Sequence, residues 1–330
     1  MVRSNSYMRL LRSLRRTTTG HKYSRDRGFT LIEILISLVI AGLVVSGLLF
    51  VVVEMLRVDQ REVALEEVQS DMQRAIDYIA DDLREAIYVY DNPATVTAQL
   101  ASLNDEIATN GAEPVLAFWR TDEIDVGNTS IPADCSTEGA NEGVCNVIKA
   151  RRASYTLVAY YQRPQYGPWE GAATLKRYEL AQYDDLTAAG AAKYNLTEAY
   201  KSPLDGGLND FAGWTPDSAA TTSDGGSRTV LVDYVRAIDI DAVNAVDCEA
   251  LTGDPEHVLA PANATNATGF FACIRPPVLV DGFRANQDVF LFLQGDATAA
   301  SQFLQPASED SRLPVLQTQV KLGGVIDRPG

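Results

Sequence analysis

The sequence predicts an α+β fold in which one long N-terminal helix packs on an antiparallel β-sheet head. Three observations support this class. An uninterrupted apolar run covers residues 29–53, a stripe of apolar residues at helical spacing continues to Tyr90, and seven later segments are rich in β-branched and aromatic residues.

The apolar run from Phe29 to Val53 holds 25 residues, of which Glu33 is the only ionisable one. At ~1.5 Å per residue, such a helix is about 37 Å long and spans a bilayer with some tilt. A carboxylate at the centre of such a helix costs roughly 2.5–3.5 kcal/mol on insertion scales and normally has a partner. We therefore expect a transmembrane helix over 29–53 and a partner for Glu33.

Residues 54–92 are predicted to continue this helix with an amphipathic surface. Its apolar stripe has spacings of three and four and comprises Leu65, Val68, Met72, Ile76, Ile79, Leu83, Ile87 and Tyr90. The charged residues assigned to its other faces are Arg61, Glu62, Glu66, Glu67, Asp71, Asp77, Asp81, Asp82 and Glu85. Proline disfavours a helical residue before it, so the helix is expected to end at Asn92-Pro93.

Residues 93–330 are long enough for one sizeable domain and show no second long helical pattern. The predicted strands are Val115–Arg120, Ser154–Gln162, Ala173–Tyr183, Thr229–Ile240, Gly269–Ile274, Asp288–Gln294 and Pro314–Leu322. Turn residues separate them, which predicts an antiparallel sheet that covers the helical stripe.

Two stretches are predicted to be excursions from this sheet. Residues 184–228 are rich in Ala, Gly, Thr, Asp and Ser and include two Asp-Gly-Gly breakers, and residues 93–113 form a shorter excursion. We expect both to be loops with little core of their own.

Residues 1–28 carry eight Lys or Arg against one acid, Asp26, and contain no apolar core. The positive-inside rule predicts that this segment stays in the cytoplasm, with everything after about Glu54 outside. A basic arm that binds nucleic acid is the competing interpretation of such a segment. Removing its net charge of +7 from the total of −16 leaves −23, which argues against nucleic acid or phospholipid headgroups as partners.

The segment Gly28-Phe29-Thr30-Leu31-Ile32-Glu33, with basic residues before it and an apolar run after it, resembles the processing signature of type IV pilins and type II secretion pseudopilins. The resemblance implies a pilin fold, cleavage between Gly28 and Phe29 by a prepilin peptidase, and methylation of the new amine on Phe29. It also implies that Glu33 pairs with the Phe29 amine of a neighbouring subunit. An uncut signal anchor with a stray glutamate remains the alternative.

Residues 73–86 resemble the same stretch of PilW-like and GspJ-like minor pilins, and of the hormogonium polysaccharide secretion pseudopilins of cyanobacteria. This resemblance implies a non-enzymatic fibre subunit that serves polysaccharide secretion, motility or adhesion. Its expected partners are other pilins, the prepilin peptidase and the inner-membrane assembly machinery. A membrane-anchored exported protein that binds a sugar or another surface ligand is the alternative function.

Four cysteines, Cys135, Cys145, Cys248 and Cys273, lie in the part expected to be exported. An even number in an oxidising compartment indicates disulfides, and three pairings can be formed from four residues. We favour Cys135–Cys145 and Cys248–Cys273, because each closes a short loop. The spacings are not those of a zinc motif.

The chain shows no catalytic motif, and His257 is the only histidine after the leader. We therefore predict no enzymatic activity and no cofactor. Weak calcium candidates are two groups of oxygen-bearing residues, neither of which has the full spacing of a calcium loop: Asp239, Asp241, Asn244 and Asp247, and Asp205, Asn209 and Asp210.

Overall fold

The structure is a computed structural model, which describes residues 28–204, 211–217, 224–238, 245–277, 279–280, 283–284, 287–300 and 313–322. The chain divides into two compact units, Met1–Met55 and Leu56–Gly330. The longest element, helix α1 (Leu31–Arg84), contributes residues to both units.

In the first unit, α1 begins after Thr30, whose hydroxyl accepts a hydrogen bond from the N–H of Glu33 at 3.3 Å. Every residue from Leu31 to Met55 is exposed in the chain. Over an 18-residue window, α1 reaches a mean hydropathy of 2.9, so its length and composition allow it to cross a membrane. The predicted apolar helix is therefore present.

In the second unit, the predicted stripe of α1 is buried through Val68, Met72, Ile76, Ile79 and Leu83. The prediction that the helix runs to Asn92 is wrong, because α1 ends at Arg84 and the strand β1 (Ala86–Val89) follows.

The helix ends at Arg84 because the following residues pair as a strand with β2. Tyr88 and Val89 lie opposite Trp119 and Phe118 of β2 (Glu113–Glu123). Aromatic and β-branched residues favour a pleated, half-buried surface, so strand pairing overrides the helical spacing of Ile87.

The head contains two main antiparallel sheets instead of the single sheet expected. The five-stranded sheet has the order β1-β2-β3-β4-β5, where β3 is Ala153–Pro164, β4 is Ala173–Leu180 and β5 is Ser227–Val235. The four-stranded sheet has the order β11-β10-β7-β6, with β6 at Val258–Ala260, β7 at Phe270–Ile274, β10 at Asp288–Leu293 and β11 at Leu316–Lys321. A two-stranded sheet pairs β8 (Leu279–Val280) with β9 (Phe283–Arg284). All seven predicted strands are present, and the α+β class is confirmed.

The main core lies between the α1 stripe and the inner faces of both main sheets. It includes Val158 and Tyr160 of β3, Phe270 of β7 and Leu291 of β10. The second sheet therefore covers apolar surface of the α1 stripe and of the first sheet that would otherwise be exposed to water.

The opposite face of the five-stranded sheet is covered by the two predicted excursions, so the expectation that they lack a core is wrong. Residues 93–113 form α2 (Ala94–Thr97) and α3 (Ala101–Asn110), and Leu103 is fully buried. Within 184–228, a 3-10 turn covers Gly190–Tyr194, and Tyr200 and Trp214 pack against Trp119. Large aromatic side chains in a loop of polar composition provide this core.

Two disulfides close local loops. Cys135 joins Cys145 across the 3-10 turn Cys135–Asn141 and α4 (Glu142–Arg151), and Cys248 of α5 (Cys248–Thr252) joins Cys273 of β7. The Cα–Cα distance is 5.7 Å in both. These are the two pairings that short loops favour.

Candidate functional site

Gly28 and Phe29, together with Thr30, form a non-helical segment before α1. A Cβ added at Gly28 would have no other heavy atom within 4 Å, and the side chain of Phe29 is 78% exposed. The peptide bond between the two residues is therefore unobstructed within the part of the chain that the structure describes.

Glu33 lies in the first turn of α1, where a negative charge is favoured by the helix dipole. Its backbone oxygen accepts a hydrogen bond from the hydroxyl of Ser37 at 2.7 Å. The residue is exposed, so its carboxylate lies on the surface of the helix. No cation among residues 28–204 and the later described ranges pairs with this carboxylate. The structure therefore presents Glu33 as an exposed acid on an apolar helix.

Asp82 is buried, so the prediction that it lies on the charged outer surface of α1 is wrong. Its side chain is only 3% exposed and is paired with Arg120 of β2 and with Arg177 of β4, the latter at 2.9 Å from Nε to Oδ2. The hydroxyl of Tyr160 donates to the same carboxylate at 2.5 Å. A buried carboxylate is tolerated when two guanidiniums and a hydroxyl surround it.

Asp82 follows Ile79 by three positions, so helical spacing places it beside the buried stripe. The sequence pattern does not indicate that Asp82 is buried, because a charged carboxylate is normally exposed to solvent. The arginines that neutralise it lie 38 and 95 residues further along the chain, so no local signal reveals the pairing.

A second buried acid, Glu106 of α3, binds the opposite face of the five-stranded sheet. Its carboxylate lies 2.9 Å from Lys176 Nζ and 2.8 Å from Arg163 Nη1, and its side chain is 6% exposed. This residue falls in the segment 93–113 that the sequence predicts to be a loop. Glu106 attaches α3 to β3 and β4 through charge, as Asp82 does for α1.

Of the calcium candidates, only Asp247 lies in the part of the chain that the structure describes. Asp247 is the N-cap of α5 and accepts hydrogen bonds from the N–H groups of Glu249 at 2.9 Å and Ala250 at 3.4 Å. The other candidates, Asp205, Asn209, Asp210, Asp239, Asp241 and Asn244, lie outside the described residues. Within the described ranges, no group of three or more His, Cys, Asp or Glu side chains is arranged to hold a metal ion.

His257 occupies a packed position. Its ring meets Phe290 edge-on at 5.3 Å, and Nε2 lies 3.5 Å from Asp288 Oδ2. Its side chain is 1% exposed, so it presents no accessible base to a substrate. This placement is that of a core histidine between a strand and a loop.

Residues 23–49 match the family model of the prokaryotic N-terminal methylation motif. No curated protein and no solved structure gives a significant match to the chain. The matched range includes Gly28, Phe29, Glu33 and the first part of α1. The motif, carried on an apolar helix long enough to span a bilayer, indicates a membrane-anchored precursor of the type IV pilin or pseudopilin kind.

Proposed function

We propose that the protein is a minor pilin or pseudopilin, a structural subunit of a type IV pilus-like or type II secretion-like fibre. The observation that carries this proposal is the coincidence of the methylation motif at 23–49 with the exposed apolar part of α1. A helix with no covered face in its own chain is suited to packing against neighbouring helices, first in lipid and then in a fibre.

Maturation begins with cleavage between Gly28 and Phe29 by a prepilin peptidase and methylation of the Phe29 amine. Glycine leaves the scissile bond free of a side chain, and nothing among the described residues covers it. Cleavage removes the basic leader and leaves an acidic mature chain of net charge −23.

Assembly uses Glu33. In the fibre, its carboxylate pairs with the methylated Phe29 amine of a neighbouring subunit, because two opposite charges buried among apolar helices offset each other's desolvation only as a close pair. The partners are other pilins, the peptidase and the inner-membrane assembly machinery.

The protein spans the inner membrane once, with the leader in the cytoplasm and the head in the periplasm or outside the cell. The excess of Lys and Arg before Gly28 supports this orientation. Two disulfides in the head fit an oxidising compartment. The fibre serves polysaccharide secretion, motility or adhesion, and the subunit itself carries out no catalysis and holds no cofactor.

Mass spectrometry of the protein from its native cells tests the first step. We expect a mature N-terminus at methylated Phe29 and an uncleaved precursor for the variant Gly28→Leu. Gly47→Leu is the matched control, because Gly47 also has open space around its Cα but lies far from the cleavage site. An intact leader in wild-type cells contradicts the proposal.

Fractionation tests the second step. The mature chain should appear in sheared fibres together with other pilins and should stay in the membrane when the assembly machinery is deleted. A mature chain that never enters sheared fibres, although it is cleaved, contradicts the fibre role and favours the anchored binding protein.

A further inference from the structure

A groove of about 660 Å³ lies on the head between α1 and the edge strand β5. Residues 71–78 of α1 form one wall, residues 230–234 of β5 form the second, and residues 168–170 of the β3–β4 loop form the third. All three walls belong to the second unit of the chain. The groove is open to solvent and is large enough for several linked rings of a ligand.

The loop that carries Trp169 is fixed against β5. The carboxylate of Asp233 accepts hydrogen bonds from the N–H groups of Glu170 at 2.9 Å and Gly171 at 3.2 Å. A Cβ at Gly171 would lie 2.4 Å from the backbone nitrogen of Tyr234, so only glycine allows this approach. The third wall of the groove is therefore held in place before any ligand arrives.

The strand β5 is distorted where it lines the groove. Its register with β4 shifts on both sides of Leu175, and Tyr234 has φ of 57°, in the left-handed region. A large non-glycine residue in this region is strained and persists only where its surroundings hold it. Here the backbone N–H of Asp296 donates a hydrogen bond to the backbone carbonyl oxygen of Tyr234 at 2.8 Å. Bulges at a sheet edge redirect side chains, and residues 232–234, which lie at these register shifts, line the groove.

The groove combines aromatic rings with both hydrogen-bond donors and acceptors. The rings belong to Tyr78, Trp169 and Tyr234. Tyr78 is exposed to solvent. The hydroxyl of Tyr234 donates to the carboxylate of Glu170 at 3.5 Å, and burial, followed by the charges of Glu170 and Asp233, raises its pKa. Each ring offers an apolar face and, through its hydroxyl or indole N–H, a polar edge.

The charged groups narrow the class of ligand. Asp71 and Arg74 lie side by side on the α1 wall, with 3.1 Å between Oδ1 and Nη1, and Glu170 belongs to the third wall. The carboxylates of Asp71, Glu170 and Asp233 disfavour an anionic ligand. Asp71 is paired with Arg74, and Asp233 accepts the N–H groups of Glu170 and Gly171, so little unmatched negative charge is left to attract a cationic ligand. A ligand with many neutral hydroxyls satisfies both kinds of group, because a hydroxyl donates to a carboxylate and accepts from a guanidinium.

We propose that this groove binds a neutral saccharide, with sugar rings stacked on Trp169 and Tyr78 and hydroxyls bonded to Asp71, Arg74 and Glu170. An extended peptide added to the edge of β5 fits less well, because two register shifts interrupt the regular ladder that strand addition needs. The proposal does not rest on fibre assembly, since every residue of the groove lies in the head.

Calorimetric titration of the full-length chain in detergent tests the proposal. The probes are neutral glucose hexamers with α-1,4, β-1,4 and β-1,3 linkages, an anionic galacturonate hexamer, a cationic glucosamine hexamer and an extended Lys-rich peptide. We expect at least one neutral hexamer to bind and to change the tryptophan fluorescence, and the charged probes not to bind. Trp169→Ala and Tyr78→Ala should each weaken binding about tenfold or more, because each removes a stacking face.

Glu170→Gln and Glu198→Gln form a matched pair. Both residues are exposed, but only Glu170 lines the groove, so only Glu170→Gln should weaken binding. Near-UV circular dichroism establishes that each variant keeps its packed head. The proposal is overturned if no neutral hexamer binds, if a cationic hexamer or the Lys-rich peptide binds instead, or if folded Trp169→Ala binds as the wild type does. Cleavage at Gly28 and recovery in fibres, measured on the same Trp169→Ala variant, should be unchanged and separate this result from the fibre role.

Discussion

The hydroxyl of Tyr160 on β3 donates a hydrogen bond of 2.5 Å to the carboxylate of Asp82 on α1. The same carboxylate is paired with Arg120 and Arg177, so three residues from three adjacent strands converge on one acid of the helix. Burial, with Asp82 as the next cause, raises the pKa of Tyr160 well above its ordinary value. This contact fixes the helix relative to the five-stranded sheet, beside the apolar stripe.

Replacing Asp82 by Asn should destabilise the head by about 1.5–3 kcal/mol, because Arg120 and Arg177 lose their buried partner and keep the less buried Asp122 and Glu179. Urea unfolding of the full-length chain, followed by circular dichroism, measures the change. Asp81→Asn is the matched control. Asp81 is an exposed neighbour paired with Arg84, and an exposed pair contributes about 0–1 kcal/mol. Equal effects of the two substitutions would show that the Asp82 cluster does not hold α1.

Tyr161→Phe should make the head less sensitive to alkali. Tyr161 is buried, and burial, followed by the charge of Glu106, raises its pKa above the ordinary value of about 10. The unfolded chain therefore loses this proton near pH 10 while the folded chain keeps it. The stability from the neutral hydroxyl is complete below about pH 10 and is lost as the pH rises further.

Urea unfolding at neutral pH and at about pH 11 measures this effect. The Tyr161 hydroxyl has no hydrogen-bond partner among the described residues, so Tyr161→Phe should leave the stability at neutral pH nearly unchanged. At alkaline pH, the variant should lose less stability than the wild type, by up to about 1.4 kcal/mol per pH unit above 10. The same loss in both proteins would contradict this account of Tyr161.

Removing either disulfide by paired Cys→Ala substitution should lower the stability of the head by about 3 kcal/mol in the chain-entropy model. Cys248 and Cys273 are 25 residues apart, whereas Cys135 and Cys145 are 10 apart. The Cys248–Cys273 variant should therefore lose about 0.8 kcal/mol more, since loop entropy grows with length. Urea unfolding compares the two, and non-reducing peptide mapping establishes the pairing. A Cys135–Cys248 or Cys135–Cys273 peptide would contradict the structure.

Glu33→Ala should leave membrane insertion and cleavage at Gly28 intact, because an apolar helix is easier to place in lipid than one with a carboxylate. Fibre incorporation should fall more than about a hundredfold, since a neighbouring Phe29 amine left buried and unpaired costs about 3–5 kcal/mol. Quantitative immunoblots of membrane and sheared fibre fractions measure both. The control is Glu54→Ala, which removes a carboxylate just after the apolar run. A Glu33→Ala subunit at wild-type levels in fibres would show that Glu33 makes no assembly contact.

The sequence by itself determined the features that depend on local or periodic chemistry. The apolar run, the processing motif around Gly28 and the buried stripe through Met72 and Leu83 are each encoded by residues close together in the chain. The strands could be predicted because β-branched and aromatic residues cluster in them. The two disulfides were expected from loop length alone, and the structure has the same pairs.

Only the tertiary structure decided where the charged residues lie and how the strands divide between sheets. Asp82 was predicted to be exposed, and α1 was predicted to run past Arg84, because the partners that reverse both expectations are distant in sequence. The groove near Trp169 likewise joins residues that are about 160 positions apart at its extremes, from Asp71 to Tyr234. The burial of a residue depends on which elements pack against it. For these residues the packing elements are strands distant in sequence, and local sequence patterns do not specify which strands those are.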